Sequence, residues 1–159
     1  MQDYLAEIIN FNRLTEVIDK LLETPKSTLI ICIEGRAAAG KSTLGLKLAN
    51  KYKCNLFRTD DFFLRPEQRT PERFAQPGGN IDYERMIPEI LEKIAIGQEF
   101  SYRPFDCSVM QLNDPVIVMP KRLNIVEGSY SAHPEFERYY DLKIFLDVDP
   151  QEQSRRIFE

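Results

Sequence analysis

The nine residues "GRAAAGKST" (Gly35–Thr43) constrain this chain more than any other stretch, because of what flanks them. Ahead of them lies "TLIICIE" (28–34), a continuous apolar and β-branched run of the kind that forms a strand buried on both faces of a parallel sheet. Behind them, Lys41 to Tyr52 carries Leu44, Leu48 and Tyr52 at helical spacing. A small turn joining a buried strand directly to a helix fits G-x4-G-K-[ST], the phosphate-binding P-loop. Glycines let successive N–H groups face one concavity, and the following helix adds the positive end of its dipole. Gly35, Arg36, Ala37, Ala38, Ala39, Gly40, Lys41, Ser42 and Thr43 are therefore the expected nucleotide-binding residues. Lys41 supplies a point charge for the β- and γ-phosphates, and the Ser42 hydroxyl is a ligand for Mg²⁺. The expected cofactors are ATP or GTP, with Mg²⁺.

The rest of the chain repeats the alternation of strand and helix. Residues 3–23 show helical spacing that stops at Thr24-Pro25, and "CNLFRT" (54–59) is a short strand closed by Asp60 and Asp61. Helical spacing returns over 83–96, with Gly97 as the stop. "RLNIVEG" (122–128) and "DLKIFLDVD" (141–149) read as buried strands that each end in acid. The stretch 65–80, rich in Pro, Gly and charge, is too polar for core and too long for an idle connection, so it is expected to be a functional loop. "EFSYRPFDC" and "PVIVMP" read as two short strands flanking "SVMQLND", a hairpin-like excursion. The expected fold is α/β of the P-loop NTPase type: a parallel sheet flanked by helices, with a small β-hairpin substrate insert, in one domain spanning 1–159.

Composition narrows the partners. A formal net charge of -4 argues against nucleic acid, which selects a basic face. No apolar run approaches the roughly 20 residues that span a bilayer. The start "MQDYLAEIIN" is acidic where a secretory signal is basic, so a cytoplasmic protein is expected. Cys32, Cys54 and Cys107 lie far apart without CxxC spacing, which fits reduced thiols better than metal ligands. Self-association into a homo-oligomer is left open by the sequence.

What happens to a bound triphosphate depends on the remaining acids. In open α/β sheets the ligand lies beyond the carboxyl ends of the strands, where Asp60 and Asp61 fall. Asp60 is the expected catalytic carboxylate with Lys41, taking a proton from an attacking hydroxyl or helping to hold the metal. Asp61 has the competing role of capping a turn. Glu127 and Asp147 both end apolar strands and compete to hold Mg²⁺ through water; the flexible "GSYS" after Glu127 favours it.

Taken in order, "GRAAAGKST", "TDDFF", "YRPFDC", "NIVEGSYS" and "YYDLKIFLDVDPQEQSRRI" resemble the uridine kinase family over roughly residues 28–159. The resemblance implies that Asp60 lies beside the sugar 5′-hydroxyl as base and that Glu127 is the metal-side acid. It places a ribose-reading aspartate at Asp82, for which a helix N-cap is the plainer alternative, and a substrate-side arginine at Arg156. Where the family sets a tyrosine and a histidine against the pyrimidine, this chain has Phe105 and Met110, which stack and shape but offer no polar handle. His133 is expected to be an ordinary surface loop residue. Family members continue past "RRI" into a basic lid and a last helix, so the resemblance implies a chain that stops before its lid. The implied function is ATP-dependent phosphorylation of the 5′-hydroxyl of uridine or cytidine. Pantothenate, ribulose phosphate or nicotinamide riboside are alternative acceptors, and a nucleotide-binding regulatory switch is the alternative of another class. The aromatic-rich stretch 100–110 and the acid pair favour a second-substrate pocket, which a switch does not need.

Overall fold

The computed structural model describes residues 10–158. Residues 3–9 of the expected first helix lie outside these, and the described part is α1, Phe11–Leu22. Asn10 starts it by accepting the Arg13 N–H at 2.9 Å, an ordinary side-chain N-cap.

Four strands make the central sheet: β1 (Leu29–Gly35), β2 (Asn55–Arg58), β7 (Leu123–Glu127) and β8 (Leu142–Leu146). Their order is β2-β7-β1-β8, and every pairing is parallel. Parallel neighbours need crossovers, and the helices that supply them cover both faces. Side-chain alternation along β1 assigns the two cores. Ile31 and Ile33 pack with Leu14 and Ile18 of α1 and with Leu48 of α2 (Lys41–Tyr52). Ile30 faces the other way, into a cluster with Phe57, Phe62, Met86, Ile90, Leu91 and Phe136. All seven residues of β1 except Glu34 are buried, as the apolar run requires.

The expected helix over 83–96 is helical throughout but not uniform. It comprises α4 (Tyr83–Met86), a π-helical stretch (Ile87–Leu91) and α5 (Glu92–Ile96). Pro88 explains the change, because a proline has no N–H to give to the carbonyl four residues back. Gly97 ends the helix in a left-handed conformation, φ 72°.

The insert is a doubly nested hairpin rather than two plain strands. Outer strands β3 (Phe100–Tyr102) and β6 (Val116–Val118) pair antiparallel, as do inner strands β4 (Phe105–Asp106) and β5 (Gln111–Leu112). Pro104 interrupts "EFSYRPFDC", and the "QL" of "SVMQLND" joins the ladder, so part of the expected turn is strand. Arg103 bridges the gap, donating from Nε to the Asn113 carbonyl (2.6 Å) and from Nη2 to the Leu112 carbonyl (2.9 Å).

The loop over 65–80 is more ordered than its polarity suggests. It holds a 3-10 turn (Pro66–Gln68) and a single helical turn, α3 (Pro71–Phe74), while Gly78 and Gly79 are buried. Arg73 ties it together, with a two-point ion pair to Glu84 and bonds to the Gly79 and Ile81 carbonyls. His133 departs from the expected surface role. Half-buried, it stacks on Tyr83 with ring centroids 5.0 Å apart, and its Nδ1 accepts the Glu135 N–H. Helix α6 (Pro150–Phe158) closes the described chain. No helix among the described residues is long and apolar enough to cross a membrane.

Candidate active site

The loop between β1 and α2 forms the strand-to-helix turn that the motif demands. Gly35 is required by a neighbour: a Cβ there would run into the Leu146 carbonyl oxygen of β8. Gly40, at φ 94°, is the N-cap of α2, and no side chain caps that helix. The first N–H groups of a helix have no partner within it, so those of Lys41, Ser42 and Thr43 are available to an anion. Lys41 Nζ donates to the carbonyls of Gly35 (2.8 Å) and Arg36 (2.9 Å), which curls its charge over the loop. Ala38 sits at φ 58°, unusual for a residue with a Cβ. Its peptide is held from outside by α6: Gln153 Nε2 donates to the Ala37 carbonyl (3.0 Å) and Arg156 Nη1 to that of Ala38 (3.1 Å).

Glu127 ends the central strand β7, directly beside this loop. Its carboxylate accepts the Ser42 hydroxyl at 3.0 Å and lies 3.4 Å from Arg58 Nε. It is 2% exposed, and burial raises its pKa above the ordinary carboxyl value, with the Ser42 hydrogen bond and the Arg58 charge opposing and the Asp60 charge adding. Asp147 is placed differently: exposed beyond β8, it faces Arg36 at 3.4 Å. The two acids that the sequence pattern left in competition therefore stand in different surroundings.

Asp60 and Asp61 lie in a 3-10 turn, Thr59–Phe62, that begins where β2 stops. The strand is two residues shorter than the expected 54–59, one at each end, and Thr59 is the buried pivot. Gly128, at φ 135°, packs so closely on Thr59 that a Cβ would meet its Oγ1, while that hydroxyl donates to the Ser129 carbonyl at 3.0 Å. This contact brings the ends of β2 and β7 together. Asp60 is exposed, whereas Asp61 is half-buried and accepts the Tyr102 hydroxyl at 3.3 Å. Burial raises the Asp61 pKa, and Tyr102 opposes the rise. The two neighbours are therefore unlike: one faces solvent, the other is anchored to the insert.

Mg²⁺ suits the donors present. Ser42 and Glu127 offer hard oxygens side by side, and Asp60 stands near enough to Glu127 for its charge to be felt. Among the described residues no group of three or more His, Cys, Asp or Glu forms a metal site by itself.

The expected acceptor residues are more scattered. Asp82 is fully buried and serves as the N-cap of α4, accepting the Arg85 N–H (3.2 Å) on Oδ1 and Arg65 Nε (3.2 Å) on Oδ2. Phe105 is 5% exposed on β4, with the Arg69 guanidinium 5.8 Å from its ring centre. Met110 occupies the inner hairpin turn at φ 55°. Arg156 donates to the Ala38 carbonyl of the Gly35–Thr43 loop and pairs with Glu152 at 2.7 Å. Sequence reasoning passed over Arg65, Arg69 and Arg85, although "RPEQRTPER" announces a cationic loop next to the acid pair.

No protein-family model matches the chain, and no curated protein sequence matches it. Solved structures do match. One described as a possible uridine kinase from Bacillus stearothermophilus superimposes with a TM-score of 0.71 at 17% identity, covering 89% of this chain and 83% of that one. A D-glycerate 3-kinase from Cryptococcus neoformans var. grubii aligns with a TM-score of 0.51 at 17% identity, over 74% of this chain and 49% of that one. The fold is accordingly the α/β fold of P-loop kinases, a parallel four-stranded sheet flanked by helices.

Proposed function

We propose that the protein transfers the γ-phosphoryl group of ATP or GTP to a hydroxyl of a small molecule. The observation that carries this reading is the convergence at one end of the sheet. The P-loop, the Ser42–Glu127 pair and the exposed carboxylate of Asp60 come together there. A regulatory switch has no use for an exposed carboxylate beside the turn that the aromatic insert anchors through Tyr102 and Asp61.

The uncapped N–H groups at the start of α2 bind phosphate oxygens, and Lys41 leaves the Gly35 and Arg36 carbonyls to follow the transferring charge. Ser42 and Glu127 would hold Mg²⁺, and the ion would supply positive charge against the phosphates. Asp60 accepts the proton of the attacking hydroxyl at its carboxylate, and Asp61 stays bound to Tyr102 and fixes the turn. The insert and the 65–80 loop flank the acceptor side, the first through Tyr102 at Asp61 and the second through Arg69 at Leu64.

The uridine kinase resemblance makes uridine and cytidine the first neutral acceptors of interest, with Phe105 as the stacking ring. In that reading Asp82 exchanges Arg65 for the ribose hydroxyls, because both of its oxygens are engaged in this structure. In the same reading Arg156, bonded to the Ala38 carbonyl of the P-loop, serves the phosphate side rather than the base. The test is acceptor-dependent release of nucleoside diphosphate by the purified protein with Mg²⁺ and ATP or GTP. Stimulation by at least one small hydroxyl compound, abolished in Lys41→Ala, is expected. Turnover stimulated only by a protein partner overturns the reading in favour of a switch.

A further inference from the structure

Among the described residues, the acceptor side holds one guanidinium without a carboxylate partner and another with a bare nitrogen. Arg69 approaches no carboxylate among the described residues. Its Nε donates to the Leu64 carbonyl (2.8 Å), its Nη2 lies 3.8 Å from Cys107 Sγ, and its guanidinium stands 5.8 Å from the Phe105 ring. Arg85 is 7% exposed and lies over Phe62, of the Thr59–Phe62 turn, at 4.9 Å. Its Nε and Nη2 make a two-point pair with Glu89 (both 2.9 Å), and Nη2 also reaches the Arg103 carbonyl. Nη1, on the other side of the guanidinium from Glu89, is buried and has no hydrogen-bond partner. A buried guanidinium nitrogen without an acceptor is costly, so proteins rarely keep one without a use for it. Arg65 is different, since its charge is already met by Asp82 and Glu67.

These groups surround the segment that presents Asp60. Phe62 stacks on Tyr102 at 5.6 Å, Tyr102 binds Asp61, and Phe105 lies three residues further on in the inner hairpin. We infer that the acceptor is an anionic hydroxyl compound, held through a carboxylate or phosphate by Arg69 and Arg85 while its hydroxyl faces Asp60. This deepens the kinase reading of the site and rests on it. Planar guanidinium forks match both anions, and a charge-assisted pair is the stronger kind of hydrogen bond. The same charges repel a cation, which sets nicotinamide riboside apart from the other acceptors considered. They give uridine nothing to bind, whereas pantothenate and ribulose phosphate each bring the required anion.

The experiment compares acceptors of graded charge in the nucleoside-diphosphate release assay. Glycerate and pantothenate carry a carboxylate, glycerol 3-phosphate and ribulose 5-phosphate a phosphate; glycerol and uridine are neutral, and nicotinamide riboside is cationic. At least one anionic acceptor is expected to exceed every neutral one by about 100-fold in kcat/KM. Which anion wins identifies the carboxylate or the phosphate class. Arg69→Gln should raise KM for that acceptor by about 10-fold or more. KM for ATP and the melting temperature should change little, and Arg69→Lys should recover part of the loss. Arg85→Lys, which keeps the charge but lacks the fork, serves as the second variant if Arg69 proves to be needed for folding. Uridine or glycerol equalling the best anion overturns the inference and leaves the kinase reading intact. So does an Arg69→Gln protein with unchanged acceptor KM. If no acceptor stimulates a protein that still binds ATP, the kinase reading fails and the inference falls with it.

Discussion

Replacing Gly128 by alanine tests the contact that joins the two acid-bearing strand ends. The residue adopts φ 135°, and a Cβ would collide with Thr59 Oγ1, with the Thr59 Cβ at 3.2 Å and its backbone N at 3.3 Å. Holding a side chain in that backbone region costs about 1–3 kcal/mol. Moving Thr59 aside sacrifices its 3.0 Å hydrogen bond to the Ser129 carbonyl, about 1 kcal/mol, with overpacking on top. A total near 3 kcal/mol lowers the melting temperature by about 6–12 °C in a chain of this size. Because Thr59 is followed directly by Asp60, kcat should also fall by at least about 10-fold as the carboxylate shifts. Thermal unfolding by circular dichroism measures the first effect, and acceptor-dependent turnover the second. A double-mutant cycle isolates the cause. Thr59→Ala removes the colliding oxygen, so Gly128→Ala should cost about 1 kcal/mol less in that background than in the parent. A melting temperature within about 2 °C of the parent, or strict additivity in the cycle, refutes the argument.

Lys41→Ala should lower kcat by about 10²-fold or more while leaving the melting temperature nearly unchanged, since its bonds to two loop carbonyls are exposed or half-buried; steady-state turnover beside thermal unfolding checks both. Asp60→Asn should reduce kcat by roughly 10²-fold with ATP affinity within a few-fold, whereas Asp61→Asn, which disturbs only the Tyr102 anchor, should cost less; a larger loss at Asp61 reverses the assignment. Glu127→Gln probes pH. The raised folded-state pKa means that native Glu127 binds its proton more tightly than the unfolded chain does, so nothing is lost below about pH 4.5 and the buried charge weakens the fold increasingly above it. The variant should therefore gain stability over the parent from pH 4 to pH 7 while losing Mg²⁺-dependent nucleotide binding, and a pH-independent gap in melting temperature counts against this.

The parts of the fold that were legible in the sequence are those where one force dominates. Burial on both faces made β1 visible as an unbroken apolar run and β7 as a shorter one around Ile125 and Val126, and the P-loop announces itself because backbone geometry demands glycine at Gly35 and Gly40. The nested hairpin was less legible. Its inner pair is only Phe105–Asp106 with Gln111–Leu112, too short for a period-2 pattern, and is held by Arg103 bonds to carbonyls that no spacing rule reveals. Asp82 satisfied both of its readings at the level of pattern, since an N-cap aspartate and a ligand-reading aspartate look alike until Arg65 is seen on its second oxygen. The acceptor arginines escaped notice for a related reason. Arginines are normally solvated, and only its burial in α4 distinguishes Arg85 from an ordinary surface residue.

The bonds from α6 to the nucleotide loop carry a consequence for linkage. In a trans peptide the N–H points away from its carbonyl. By drawing the Ala37 and Ala38 carbonyls outward, Gln153 and Arg156 therefore set the direction of the amides that follow them. A helix more than a hundred residues downstream thus helps to choose the peptide orientation on which phosphate binding depends. Thermodynamic reciprocity makes the traffic two-way: whatever free energy docked α6 adds to nucleotide affinity, bound nucleotide returns to the docking of α6. The most exposed helix of the fold is in this sense a reporter of the occupancy of its most constrained loop, readable as slower amide exchange along residues 150–158 when nucleotide is present.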